Sequence, residues 1–91
     1  MWVQPKEYKH VGAALAAARD RAGLTQEQLG RLLRKPQSFV SNYERGQRRV
    51  DVLELLQIVD ALKGDARAVF MDIVGRRAGA KPGKVRRPIL S

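Results

Sequence analysis

The stretch that decides the fold is residues 22–46, which reads AGLTQEQLGRLLRKPQSFVSNYERG. Its first half predicts a short helix over about residues 25–34, because Thr25 is a good N-cap and Gln28 completes a capping box. Leu29, Leu32 and Leu33 would form the buried side of this helix. Pro36 lacks a backbone N–H and disfavours helical geometry at the residue before it, which ends that helix. Proline is tolerated in a first helical turn, so a second short helix is predicted over about residues 36–45, with Gly46 as its stop.

Three further helices are predicted around this pair. The alanine-rich run over residues 6–22 has apolar side chains at helical spacing and ends at Gly23. Asp51 and Asp65 are each placed to cap a helix, over about residues 52–63 and 66–74. No stretch alternates with a period of two, so the predicted fold class is all-α: a compact five-helix domain over residues 1–75, followed by a segment at residues 76–91.

Length and composition limit the function. Ninety-one residues supply one modest core, which argues against a second domain or a large active-site cavity. There are 18 lysines and arginines against 9 acidic residues, a formal net charge of +9, which indicates a polyanionic partner. Cysteine is absent and His10 is the one histidine, so we predict no metal site, no catalytic residue and no cofactor. No apolar run is long enough to span a membrane, and the beginning of the chain lacks the pattern of a secretion signal.

The positive charge is concentrated at the end of the chain. Residues 76–91 contain six basic residues and no acid, together with glycine, proline and no apolar periodicity. Such a segment cannot bury enough apolar surface to become ordered on its own, so it is predicted to be a flexible basic tail. It is either a solvated extension without a function or a sequence-independent DNA contact.

The third helix has two different faces. Phe39, Val40 and Tyr43 form the side that is expected to pack. The opposite side carries amide, hydroxyl and guanidinium groups and no carboxylate: Gln37, Ser38, Ser41, Asn42 and Arg45. Asparagine and glutamine can form paired hydrogen bonds with adenine, and arginine can do so with guanine. Composition alone leaves two interpretations open, a base-reading helix or a polar surface helix that happens to lack acids.

The order of these signals resembles a known family. Residues 22–29, 36–46 and 59–62 are similar to the helix-turn-helix domain of the phage repressor and Cro type, also called the xenobiotic-response-element (XRE) family, over residues 15–62. The resemblance implies a five-helix bundle in which helix two lies across the DNA backbone and helix three enters the major groove.

The resemblance also implies a role for individual residues. The base-reading positions would be Gln37, Ser38, Ser41 and Asn42. The backbone contacts would be Gln26, Lys35, Arg45, Arg48 and Arg49. Arg19 and Glu44 match a structural ion pair between helices one and three. Two positions depart from the family pattern: Arg34 stands where glycine is common and would need a positive φ, and Gly30 stands where alanine is usual.

Helix four is more apolar than a one-sided helix requires. Val52, Leu55, Ile58, Val59 and Leu62 would form the stripe that faces the core. Leu53 and Leu56 widen the apolar arc beyond that stripe. Helix five, with its apolar residues Val69, Phe70, Ile73 and Val74, could cover the extra surface within one chain. A second copy of the chain is the alternative, and we expect a homodimer that uses Phe70, Ile73 and Val74.

These observations predict a small cytoplasmic protein, associated with the nucleoid, that binds double-stranded DNA in a sequence-specific manner. The expected role is transcriptional regulation, more specifically repression, without enzymatic activity or a membrane partner. The alternative is the antitoxin of a toxin–antitoxin pair, which would use the same domain for autoregulation and bind a protein partner. A basic RNA-binding or membrane-surface protein is a third class, but only 5% of the residues are aromatic, which is few for stacking RNA bases.

Overall fold

The computed structural model describes residues 6–79, which form five helices and no strand. The helices are α1 (Tyr8–Arg21), α2 (Gln26–Leu33), α3 (Gln37–Glu44), α4 (Val52–Ala61) and α5 (Ala66–Arg77). The all-α prediction is confirmed, and each predicted helix is present within a few residues of its expected bounds.

The predicted capping box at Thr25 and a second capping box at Asp51 explain where α2 and α4 begin. The Thr25 hydroxyl accepts a hydrogen bond from the Gln28 backbone N–H at 3.0 Å, and the Gln28 amide oxygen accepts one from the Thr25 N–H at 2.8 Å. Asp51 and Glu54 exchange the same two bonds at 2.8 and 3.1 Å. Each box satisfies two backbone donors that a helix start would otherwise leave unpaired.

The core lies where the five helices meet, and each helix contributes at least one buried side chain to it. Its largest fully buried side chains are Tyr43, Leu15, Leu29, Ile58, Val40, Val59 and Val69. The Tyr43 ring also meets Phe39 edge to face, with ring centroids 5.5 Å apart. Burial raises the pKa of the Tyr43 hydroxyl well above its ordinary value. Most of the stripe that the sequence predicts on α1, α3 and α4 is therefore in the core.

Two glycines allow α1 to lie directly on the end of α3. A Cβ atom on Gly12 would overlap the carbonyl oxygen of Tyr43 and lie 2.5 Å from that of Glu44. Gly46, at φ 76°, would place a Cβ 2.8 Å from the Cα of Lys9. The first half of α1 thus fixes the position of the C-terminal end of α3 through backbone-to-backbone contact.

The turn between α2 and α3 carries a left-handed residue. Arg34 has φ 60° and ψ 42°, which confirms the positive φ that the sequence predicted for a residue other than glycine at this position. Gly30 is buried against the same turn, where an added Cβ would lie 2.8 Å from the Lys35 carbonyl oxygen. The short turn and the small residue together bring α3 close against α2.

Several sequence-based expectations differ from the structure. Helix α5 ends at Arg77, so Arg76 and Arg77 belong to the folded domain rather than to the basic tail. Leu32 and Val52 were expected in the core but are 57% and 74% exposed. Ile73 is buried in the core, which removes it from the exposed dimer candidates. The remaining part of the predicted tail, residues 80–91, lies outside the described residues.

Candidate nucleic-acid interface

The outer face of α3 presents the predicted base-reading residues on one side of the domain. Gln37 and Ser38 are exposed at the start of the helix, and Ser41 and Asn42 follow one turn later, half-buried. Val40 and Tyr43 point the other way and are fully buried. The buried pair fixes the rotation of α3, so the four polar residues are held on its outer side.

A chain of hydrogen bonds leads from the interior to the first of these residues. The Arg19 guanidinium donates to both carboxylate oxygens of Glu44, at 2.7 and 3.1 Å, which confirms the predicted ion pair. The Gln26 amide donates to the same carboxylate at 2.8 Å, and its oxygen accepts a bond from the Gln37 amide at 3.1 Å. The Glu44 side chain is only 7% exposed and cannot move freely. The hydrogen bonds that begin at Glu44 therefore hold the Gln37 amide in one position.

The ion pair between Arg19 and Glu44, where these hydrogen bonds begin, changes the pKa of the arginine. Hydrogen bonding to Glu44 raises the pKa of the Arg19 guanidinium, which stays charged at any physiological pH. Arg19 also donates to the Leu24 carbonyl oxygen at 2.8 Å, next to the start of α2. One arginine therefore ties α1 to both helices of the helix-turn-helix pair.

Arg45 connects the end of α3 to the following loop. Its guanidinium donates to the Asn42 side-chain oxygen at 2.7 Å and to the Gln47 side-chain oxygen at 3.2 Å. The contact orients Asn42 so that its amide N–H groups remain available. Arg45 is exposed, as are Lys35 and Arg49, so three of the predicted backbone contacts are accessible to a ligand.

Arg48 is placed differently from the sequence-based expectation of a phosphate contact. Its guanidinium donates to both carboxylate oxygens of Glu54, at 3.2 and 3.0 Å, and lies 4.5 Å from the centre of the Phe39 ring. Hydrogen bonding to Glu54 raises the pKa of Arg48, and the same bond lowers the pKa of the Glu54 carboxyl. Arg48 thus joins α3 to the start of α4, and Arg49 is the more exposed of the two cations in this loop.

Sequence reasoning missed two residues that support this surface. Gly12 is necessary for the approach of α1 to α3, and a lone glycine within an alanine-rich helix is the signal that could have indicated it. Glu54 completes the capping box of α4, but its second role as the partner of Arg48 depends on the path of the loop. No spacing rule predicts that path.

Comparison with known proteins identifies a family that has this arrangement of helices. A family model described as helix-turn-helix matches residues 15–68, which include all of α2, α3 and α4. The chain belongs to this helix-turn-helix family, in its XRE, or Cro and C1, branch. It is a DNA-binding transcriptional regulator, and α2 and α3 are the two helices that give the family its name.

Three solved structures support the assignment. The restriction-modification controller protein C.AhdI from Aeromonas hydrophila is 33% identical, with a TM-score of 0.66, over 72% of this chain and 100% of that one. An XRE-family like protein from Pseudomonas syringae pv. tomato is 34% identical, with a TM-score of 0.67, over 77% and 85%. The clp gene regulator ClgR from C. glutamicum is 28% identical, with a TM-score of 0.74, over 79% and 94%. No curated protein matches this chain.

Residues 6–79 were also searched for a metal site and for a membrane-spanning helix. Over that range, histidine and carboxylate side chains form no group of three that could hold a metal ion. Within the same range, no helix has the length and apolar content to cross a membrane.

Proposed function

We propose that this regulator binds a specific duplex sequence by placing α3 in the major groove, and that it acts as a repressor in the cytoplasm, at the nucleoid. The observation that carries the proposal is the acid-free outer face of α3. Its first residue is held in place by a chain of hydrogen bonds from the Glu44 carboxylate, whose side chain is largely covered. A side chain that is already oriented loses less conformational entropy on binding a base than a freely rotating one.

The hydrogen bonds of Gln37 suggest which base it reads. One N–H of its amide is donated to Gln26, which leaves the second N–H and the amide oxygen for a base. An adenine presents an acceptor at N7 and a donor at N6 in the major groove, which is the complementary pair. We therefore assign Gln37 to an adenine, with Ser38, Ser41 and Asn42 contacting the neighbouring base pairs.

The surrounding polar groups would fix α3 in the groove. Gln26 keeps one amide N–H free of Glu44, and lies with Gln37 and Thr25 in an open depression of about 520 Å³ at the start of α2. A phosphate placed there would also meet the unpaired backbone N–H groups of a helix start. Lys35, Arg45 and Arg49 would contact phosphates on either side, whereas Arg48 keeps the loop in place.

Selection of bound duplexes from a random pool tests sequence-specific binding most broadly. We expect a short common sequence, bound at least about 10³-fold more tightly than scrambled duplex at physiological salt. Enrichment without any common sequence would contradict the proposal and would favour a non-specific DNA-binding protein. A reporter gene placed under the selected sequence distinguishes repression from activation.

We further propose that the regulator is a homodimer. Phe70 and Val74 on α5 are exposed, and so are Val52, Leu53 and Leu56 on α4. Between these helices lies an apolar groove of about 630 Å³, which we call the α4–α5 groove; its lining includes Leu55, Phe70 and Met71. Covering this surface with a second copy would remove it from water and create the two-fold axis that a palindromic site requires, with half-sites about 34 Å apart or a multiple of that.

Substitution of Phe70 tests the dimer. Phe70→Glu should shift the molar mass measured by light scattering towards the monomer, and should weaken binding to a two-half-site duplex more than binding to a single half-site. Because Phe70 is 58% exposed, the variant should keep its helical circular dichroism spectrum. Ala68→Glu, at another exposed position of α5, is the matched control and should leave the mass unchanged. A folded Phe70→Glu protein with the wild-type mass would rule out this interface.

The α4–α5 groove also supports the second candidate function, an antitoxin that binds a protein partner there. The two assignments differ in what purifies with the chain from its native cells. An antitoxin should co-purify with a stoichiometric partner encoded by a neighbouring small gene, and Phe70→Glu should release that partner. A homodimeric repressor should purify as two copies of itself.

A further inference from the structure

We propose that Arg45 determines which base Asn42 reads, and that this base is a guanine. The inference rests on the proposed function and deepens it, since it concerns base preference on the face of α3 already assigned to DNA. Arg45 is a positioning residue in this role, because it acts through the Asn42 amide. Its remaining N–H groups can still contact a phosphate.

The end of α3 brings three polar side chains together. The Gln47 backbone N–H donates to the Asn42 backbone oxygen at 2.9 Å, and the Gly46 N–H donates to that of Tyr43 at 3.0 Å. These two bonds form a Schellman motif, which ends a helix through a residue at positive φ, here Gly46 at 76°. The chain therefore turns at Gly46 so that Gln47 lies beside the last turn of α3.

One nitrogen of the Arg45 guanidinium contacts the two amide side chains of this turn. It donates to the Asn42 side-chain oxygen at 2.7 Å and to the Gln47 side-chain oxygen at 3.2 Å. Asn42 and Arg45 are three residues apart, a spacing that makes side chains neighbours on a helix surface. Because a guanidinium has donors and no acceptor, the amide atom that faces it must be the oxygen. The Asn42 oxygen is thus engaged, and its NH₂ group is the part that can contact a base.

The amide of Gln37, at the other end of α3, is held in the opposite sense. It donates one N–H to the Gln26 oxygen at 3.1 Å, so its own oxygen and its second N–H remain for a base. Asn42 instead offers N–H groups alone. The two amides of α3 therefore present different hydrogen-bonding patterns, although they carry the same functional group.

Each pattern matches a different purine in the major groove. Adenine has an acceptor at N7 and a donor at N6, and the donor requires an amide oxygen. Guanine has acceptors at N7 and O6, which match an amide that offers only N–H groups. Thymine has a single acceptor on this edge, so guanine gains more from the two N–H groups of Asn42.

The second lone pair of the Asn42 oxygen does not restore a match to adenine. An adenine N6–H group would have to share this oxygen with the Arg45 guanidinium. A hydrogen bond from a charged donor is roughly twice as strong as one from a neutral donor, so the guanidinium keeps the oxygen. The positive charge of Arg45 also favours the acceptor-rich edge of guanine over the N6 amino group of adenine.

The preference among bases at one position of the selected duplex measures this role. Asn42→Ala identifies the position, because it should abolish the preference at one base pair and leave the others. Four duplexes that differ only at that base pair are then compared by fluorescence anisotropy. The wild type should bind the guanine duplex about 5- to 100-fold more tightly than the adenine duplex.

Arg45→Ala should lower this guanine-to-adenine ratio to about twofold or less, because the freed Asn42 oxygen can accept a bond from adenine N6. Arg45 is exposed, so the variant should keep its helical circular dichroism spectrum. Loss of a phosphate contact alone would weaken binding to all four duplexes by the same factor and would leave the ratio unchanged.

Arg49→Ala is the matched control, because it removes an exposed arginine of the following loop. It should weaken binding to the four duplexes equally and keep the wild-type ratio. A base other than guanine at the Asn42 position, or an unchanged ratio in Arg45→Ala, would overturn the inference. So would wild-type preferences at every position in Asn42→Ala. Failure of the wild type to select any common sequence would instead contradict the proposed function.

Discussion

Gly12 sets the distance between α1 and α3. A methyl group at this position would overlap backbone atoms of Tyr43 and Glu44, which belong to a helix and cannot move independently. Gly12→Ala should therefore lower the free energy of unfolding by about 1–3 kcal/mol, measured by urea denaturation, although alanine has the higher helix propensity.

Gly75 supplies the control for this substitution. It lies within α5 and has open space around the position of a Cβ atom. Gly75→Ala should raise the free energy of unfolding by about 0.5–1 kcal/mol. Equal effects of the two substitutions would mean that the close approach of α1 to α3 is not a constraint.

Arg34 occupies a left-handed conformation that costs an L-residue about 1 kcal/mol or more. Arg34→Gly should relieve this cost and raise the midpoint of urea denaturation, whereas Arg34→Ala should not. A gain for alanine as large as that for glycine would show that the arginine side chain, rather than the backbone conformation, is unfavourable.

What the sequence predicts at the scale of single residues depends on how local the interaction is. The capping box of Thr25 follows from a spacing of three residues and the cap of α4 from Asp51, and the structure confirms both and completes the second box with Glu54. The pair of Arg19 and Glu44 is separated by 25 residues and was found through the family resemblance. The pair of Arg48 and Glu54 belongs to neither class, because it depends on how one loop folds back over Phe39.

The ion pair between Arg48 and Glu54 holds the loop that joins α3 to α4. Hydrogen bonds from Arg48 and from the Asp51 backbone lower the pKa of the Glu54 carboxyl below its ordinary value of 4.5. A lowered pKa in the folded state means that this stabilisation is present above pH 4.5 and is lost as the pH falls through the folded-state pKa.

Glu54→Gln tests this contribution, because glutamine can still complete the capping box. At pH 7 the variant should be less stable by about 0.5–1 kcal/mol, a modest effect because Arg48 is 39% exposed. The difference between variant and wild type should shrink as the pH falls below 4.5, and it should vanish once the Glu54 carboxyl is protonated in the folded state. A constant difference down to pH 3 would show that charge is not its cause.

At the scale of helices, the N-cap residues and Pro36 predicted accurately where helices begin. The spacing of apolar residues predicted less accurately which side chains are buried. Leu32 and Val52 fit the helical stripes of α2 and α4 but are exposed, because no neighbouring helix covers either position. The predicted end of α5 was too early, because Arg76 and Arg77 were assigned to the basic tail on composition. Their partners, Asp72 and Glu7, show why the helix continues.

At the scale of the whole molecule, the sequence predicted that the apolar surface of α4 needs a cover. The structure shows that α5 leaves Leu53 and Leu56 at 70% and 40% exposure. Burial of Ile73 shows that α5 uses one side for the core, and Phe70, Met71 and Val74 stay exposed. Contacts between molecules decide what covers such a surface, and a sequence pattern within one chain does not encode them.

The most direct test of the account is the affinity of α3 variants for the selected duplex. Gln37→Ala and Asn42→Ala should each weaken binding to the selected sequence by about 1–3 kcal/mol, and should leave binding to scrambled duplex nearly unchanged. Gln57→Ala, at an exposed glutamine of α4, is the matched control and should bind as the wild type does. If both α3 variants bound the selected duplex as tightly as the wild type, the assignment of α3 as the base-reading helix would be wrong.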